Sequence, residues 1–175
     1  AKPQILSTIS TGASSNPFAV FVQGRYAYVT TSTTRQLRIY DISNPVSPAL
    51  TGTVDLGASA APAGLYVQGR YAYIVTYTGN TLVVVDLGNP SAPYIVGSTT
   101  TGGSTNPIGI TVQGQYAYVT ANGSNALQVY NISNPAAPSL LGSASTGSSP
   151  RGVYVQGRYA YVISNGAGTL GIFDI

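Results

Sequence analysis

The octapeptide Val-Gln-Gly-Arg-Tyr-Ala-Tyr-Val is written four times into this chain of 175 residues. The copies start at Val22, Val67, Val112 and Val155; Ile74 closes the second copy, and Gln115 replaces Arg in the third. The starts are thus 45, 45 and 43 residues apart. One strand-rich repeat of this length cannot bury its apolar face alone, so the copies must stack, and a propeller is the leading architecture for a period in the forties.

The second copy shows the unit most clearly. Gly64 to Val67 reads as a strand, and Gln68-Gly69-Arg70 as a tight turn in which Gly supplies positive φ. Tyr71 to Thr76 is a second strand, rich in aromatic and β-branched residues. A turn over Tyr77 to Asn80 leads to a third strand, Thr81 to Asp86. The breakers Pro90 and Pro93 bound a loop, and Tyr94 to Thr100 forms a fourth, outer strand. Four antiparallel strands per unit make one propeller blade. No segment carries a helical period, and 21 Gly and 11 Pro punctuate the chain too densely for long helices. The expectation is an all-β chain, one domain over residues 1–175, with repeats beginning near Pro17, Pro62, Pro107 and Pro150.

The third strands (Leu37–Asp41, Leu82–Asp86, Leu127–Asn131 and Leu170–Asp174) and the loops Asp41-Ile42-Ser43-Asn44-Pro45, Asp86-Leu87-Gly88-Asn89-Pro90 and Asn131-Ile132-Ser133-Asn134-Pro135, each with a second Pro three residues on, are co-spaced throughout the chain. In these motifs the sequence resembles the LVIVD-repeat β-propellers; Leu82-Val83-Val84-Val85-Asp86 comes close to spelling the family's name. The resemblance implies a secreted or surface-associated propeller, brings no catalytic motif, and implies more blades than four.

The frame is permuted. Pro3, Gly12 and Pro17 stand 45 residues before Pro48, Gly57 and Pro62, so residues 4–9 read as an outer strand with no blade in front of it. The last repeat supplies three strands and no fourth. The N-terminal strand is therefore expected to complete the C-terminal blade, removing an open sheet edge. Three closures remain open: a four-bladed ring closed on itself, an eight-bladed ring made by two chains, or a head-to-tail filament.

Comparison of the repeats also exposes a pair. Arg25, Arg70 and Arg158 stand 16 residues before Asp41, Asp86 and Asp174, and in the third copy both partners change together, to Gln115 and Asn131. We expect Arg and Asp to be neighbours at the ends of the second and third strands, with the amide pair keeping a hydrogen bond after the charges are lost. Structural pairing is favoured for these aspartates over a cation site, because one Asp per blade is a thin oxygen set.

The chain has no His, Cys, Glu, Met or Trp. The usual nucleophile–base pairs and zinc sites cannot be assembled from what remains, so the chain is expected not to be an enzyme and to need no cofactor or metal. The tyrosine pairs of the second strands, such as Tyr71/Tyr73, are expected to fill the gaps between blades. Residues that break the repeat, namely Phe18, Phe21, Arg35, Tyr77 and Arg151, are the better candidates for a specific contact. Asn122 and Asn131 head N-x-Ser sequons and are candidate glycosylation sites, with Asn122 in a turn.

Charged residues are only 6% of the chain, against roughly 25% in ordinary globular proteins. A surface so poor in charge suits packing against copies of itself. The net charge of +3 is spread along the chain, without the basic stripe of a nucleic-acid binder, and no apolar run is long enough to span a membrane. A start at Ala1 with no Met anywhere reads as a processed secreted chain, or as a fragment. These readings converge on an extracellular, non-enzymatic, self-assembling structural propeller, with a lectin-like or protein-binding propeller that contacts glycans as the alternative.

Overall fold

The computed structural model describes residues 2–175. Its 15 strands form three four-stranded sheets and one of three strands. Blade 1 holds β1 (Pro17–Gln23), β2 (Tyr26–Thr31), β3 (Gln36–Asp41) and β4 (Ala49–Asp55). Blade 2 holds β5 (Pro62–Gln68), β6 (Tyr71–Thr76), β7 (Thr81–Asp86) and β8 (Tyr94–Thr100). Blade 3 holds β9 (Pro107–Gln113), β10 (Tyr116–Ala121), β11 (Ala126–Asn131) and β12 (Ser139–Ser145). Blade 4 holds β13 (Pro150–Gln156), β14 (Tyr159–Ser164) and β15 (Thr169–Asp174). Every neighbouring pair is antiparallel and in sequence order, and the described residues contain no helix.

The octapeptide is the first hairpin of each blade. Gln23 pairs with Tyr26, which leaves a two-residue turn, and Gly24, Gly69, Gly114 and Gly157 hold φ near +60° at its first position. Positive φ there matches the twist of the flanking strands, which explains why Gly recurs. The Gln of the octapeptide does something the sequence did not indicate. Gln23, Gln68 and Gln113 donate from Nε2 to the carbonyls of Gly69, Gly114 and Gly157, at 2.7, 2.9 and 2.9 Å, so each blade is tied to the next at this end of the fold.

The core lies between blades. One cluster joins Tyr28, Leu37 and Ile39 of blade 1 to Val67, Ala72, Val83 and Val85 of blade 2. A second joins Tyr73, Leu82 and Val84 to Val112, Ala117 and Val119. A third joins Tyr118 and Leu127 to Val155, Ala160 and Val162. Each blade thus has a forward face, carrying the inner Tyr and the Leu of the third strand, and a rear face that receives its predecessor. Tight approach fixes the spacing: a Cβ on Gly97 of β8 would lie 2.4 Å from the Pro135 carbonyl oxygen in the loop of the next blade.

The N-terminal segment departs from expectation. Residues 2–10 form no strand, and β15 has no outer partner among the described residues. The segment lies instead on the rear face of blade 1, where Ser7 Oγ donates to the Pro45 carbonyl at 2.6 Å and Tyr40 donates to the Ser10 carbonyl at 3.4 Å. The reason is curvature. Inner strands pack in the series β1–β5–β9–β13, with no comparable packing of β13 back onto β1, so the last blade stands away from the strand expected to complete it. The four blades form an open arc.

Candidate functional site

Two features of the arc stand out: its open ends and its axial mouth. At the C-terminal end the forward face of blade 4 is bare. Ile163, Leu170 and Ile172 are 55%, 61% and 63% exposed, whereas their equivalents in blade 2, Val75, Leu82 and Val84, are each 0%. At the N-terminal end the rear face of blade 1 shows Val20 and Val22 at 67% and 56%, where Leu65 and Val67 of blade 2 are 8% and 2%. The two ends therefore display the two surfaces that make every internal blade junction.

The N-terminal segment holds the place of an outer strand on that rear face. Ser7 stands 45 residues before Gly52 and 90 before Gly97, and it bonds to Pro45, the counterpart of Pro90 and Pro135 that crowd those glycines. At the other end, Gly142 of β12 has nothing opposite its missing Cβ, and an apolar groove of about 510 Å³ runs beside it, lined by Leu141, Val129, Phe173 and Ile175 among others.

The axial mouth lies where the inner strands begin, at the end opposite the glutamine ties. Phe18, Ala63, Ile108 and Arg151 occupy one equivalent position in the four blades, and Ser32, Tyr77 and Asn122 occupy another in three of them. All seven, with Asn16, line a single cavity of about 340 Å³. Sequence comparison singled out Phe18, Tyr77 and Arg151 as departures from the repeat; the fold brings these three together. It does not bring Phe21 there: that ring packs on Tyr66 of blade 2 with centroids 4.9 Å apart. Arg35 lines a neighbouring shallow depression with Thr33, Ser59 and Thr78. Asn122 Nδ2 donates to the Pro150 carbonyl at 3.2 Å, so a glycan on Asn122 would displace that bond and occupy the mouth. Asn131 is half-buried, and its Oδ1 accepts from the Ser133 amide.

The Arg–Asp pairs sit where the second strand begins and the third ends, in blades 1, 2 and 4. Arg70 Nε donates to both carboxylate oxygens of Asp86, at 2.7 and 3.0 Å; Asp86 also accepts from Gly88 N–H and from the Tyr94 hydroxyl and is only 3% exposed. Arg25 contacts Asp41, and Arg158 Nε donates to Asp174 at 2.9 Å. The Arg70 guanidinium, then the Gly88 amide and Tyr94 hydroxyl, hold the Asp86 carboxyl below its ordinary range against the opposing effect of burial. Asp41 is lowered too, first by Arg25. The amide pair behaves differently from expectation. Asn131 keeps the backbone bond, as Asp41 does with Ser43, but no side-chain bond joins it to Gln115 among the described residues. Without charges, the exposed Gln115 and half-buried Asn131 amides gain too little over water to hold one geometry.

A family model of the LVIVD repeat matches residues 18–56, 63–101, 102–146 and 147–175. The chain belongs to the LVIVD repeat family. No curated protein matches its sequence. Solved structures share the architecture. The computationally designed Ika4 protein aligns over 99% of this chain and 99% of its own, at 14% identity and a TM-score of 0.78. A Bacteroides fragilis protein provisionally named a 6-phosphogluconolactonase aligns over 90% of this chain and 50% of its own, at 16% identity and a TM-score of 0.79. The periplasmic gluconolactonase PpgL of Pseudomonas aeruginosa aligns over 82% and 43%, at 18% identity and a TM-score of 0.73. This LVIVD chain thus spans half or less of those two natural propellers. Their names correct one expectation from sequence. The lack of His, Cys and Glu had excluded an enzyme, yet chains named for lactone chemistry are built on the same propeller, so the exclusion does not stand.

Proposed function

We propose that this LVIVD chain is an extracellular self-assembling propeller unit, whose two open ends dock on those of a second copy. The carrying observation is the match between ends: the bare forward face of blade 4 and the rear face of blade 1 are the two sides of a junction the chain makes three times internally. Docking would lay residues 4–9 of one copy along β15 of the other. Extending the internal register, in which Gly52 pairs with Ile39 and Gly97 with Val84, sets Ser7 opposite Ile172. It would also give Gln156 the glycine carbonyl that Gln23, Gln68 and Gln113 already have. Low charge suits such an assembly outside the cell.

The energetics favour a closed pair over a chain of copies. Covering Val20, Val22, Ile163, Leu170 and Ile172, each more than half exposed, is worth on the order of 1–2 kcal/mol per side chain, or about 5–10 kcal/mol per junction. One junction barely offsets the ~4–15 kcal/mol cost of association, whereas a two-fold ring forms two junctions for a single loss of freedom. Light scattering after size exclusion should give twice 17.9 kDa, and electron microscopy a closed ring. Leu170→Lys, on the forward face, and Val22→Lys, on the rear face, should each give folded single chains. A wild-type chain that stays at 17.9 kDa at micromolar concentration would overturn the reading.

A further inference from the structure

The two ends of the arc's axis are unlike, and the difference points to a ligand. At one end the turns are nearly copies: Gln-Gly-Arg three times and Gln-Gly-Gln once, tied by identical glutamine bonds. At the other end, equivalent positions hold Phe18, Ala63, Ile108 and Arg151, and then Ser32, Tyr77, Asn122 and Asn165. Scaffolding needs the same residue in each blade, because each junction is the same. Four different residues at one equivalent position, facing one cavity, are what a single asymmetric occupant requires.

The lining states the chemistry of that occupant. Arg151 makes no side-chain hydrogen bond or ion pair among the described residues, while Arg25, Arg70 and Arg158 are paired with aspartates and Arg38 donates to Gln36. No carboxylate among the described residues lines the cavity. Its one cation is a planar fork suited to a carboxylate. Phe18 and Tyr77 present partly exposed rings beside it, and among the described residues the Asn122 Oδ1, Asn16 amide and Tyr77 hydroxyl have no side-chain partner. A fatty acid would leave these amides unused. A phosphate would meet only one cation. A pyranose bearing a carboxylate uses every group: the acid on Arg151, the apolar sugar face on an aromatic ring, and the hydroxyls on the amides. A volume of about 340 Å³ is at the lower end of small-molecule sites, which run roughly 300–1,000 Å³.

We infer that the axial mouth binds the uronic acid residue of an acidic glycan. All its residues come from one chain, so the inference does not depend on how the ends dock. Calorimetric titration of the whole chain with methyl β-D-glucuronide, methyl β-D-glucoside and acetate tests it. The glucuronide should bind, the glucoside at least about tenfold more weakly, and acetate should not compete at equal concentration, since a charge-assisted pair and a stacked ring each contribute a factor of this order. Arg151→Gln should weaken the glucuronide by about tenfold and leave the weak glucoside binding unchanged. Tyr77→Ala should weaken both sugars, and Arg35→Gln, outside the cavity, neither. Circular dichroism matching the wild type verifies that the variants fold. No glucuronide binding, binding indifferent to Arg151→Gln, or equal competition by acetate (a bare anion site) would each overturn the inference.

Discussion

Arg35 occupies a position its side chain does not suit, and replacing it should stabilise the fold. It sits at φ +57°, at the end of the β2–β3 turn, where the other blades carry Asn80, Asn125 and Gly168. An L-residue in the left-handed region costs roughly 1–2 kcal/mol, least for Asn and Gly. The asparagines also reach the next blade: Asn80 Oδ1 accepts from Asn106 N–H at 2.7 Å, and Asn125 Oδ1 from Ser149 N–H at 2.8 Å. The corresponding amide beside Arg35 belongs to Ala61, and a guanidinium has no acceptor to offer it. Arg35→Asn should relieve part of the backbone cost and add a hydrogen bond worth about 0.5–1.5 kcal/mol, for a total near 1–2 kcal/mol. For a domain of this size that is a rise in Tm of roughly 3–6 °C, read by calorimetry or thermal circular dichroism. Arg35→Gly separates the parts: it relieves the backbone, supplies no acceptor, and loosens the unfolded chain, so it should gain less. If Asn is no better than Gly, the inter-blade bond is not there. If both destabilise, the turn geometry has been misjudged.

The Arg70–Asp86 pair should be asymmetric. Asp86 is buried and Arg70 is not, so Arg70→Met leaves an unpaired buried carboxylate and should cost about 2–3 kcal/mol, less than a wholly isolated charge because Gly88 and Tyr94 still donate. Asp86→Asn should cost less than half of that, since Asn131 already serves in the third blade. Because the native Asp86 carboxyl lies below its unfolded value of about 4, its stabilisation is complete above that pH and is lost as pH falls through the native value; acid titration of Asp86→Asn should lack that loss. Gly97→Ala would drive a methyl into the Pro135 carbonyl and should cost about 1–3 kcal/mol by denaturant melt, while the same change at Gly142, which faces nothing, should be nearly neutral.

What sequence conveyed follows from what repeats repeat. Strands β6, β7 and β8 were legible to the residue because alternation, Gly69 and Pro93 mark their limits. The Arg–Asp pairs were legible because both partners change together at Gln115 and Asn131. The role of Gln23, Gln68 and Gln113 was not, since an identical residue in every copy does not say whether it bonds within its blade or to the next. The placement of residues 4–9 failed for a related reason. Their pattern is that of an outer strand, but pairing with β15 depends on the accumulated curvature of three junctions, which no local pattern encodes. Phe18, Tyr77 and Arg151 were visible as departures from the repeat; that they meet at one mouth follows only when each is placed at its equivalent position on converging strands.

The outer strands give a last reason to read β15 as a surface meant to be covered. A sheet edge usually repels other edges with charge, and this chain has little to spend there. β4, β8 and β12 use another device. Each begins just after a proline, Pro48, Pro93 or Pro138, and each pairs with its neighbour through a register shift at the same place: between Ile39 and Tyr40, Val84 and Val85, and Val129 and Tyr130. A bulge twists an edge away from the flat geometry that a second strand needs. β15 has neither feature. It pairs with β14 without a shift, has no flanking proline, and shows Leu170 and Ile172 to solvent on one face. Three outer edges carry both devices and the fourth carries neither, and the segment whose register fits that fourth edge already rests on the opposite end of the same chain.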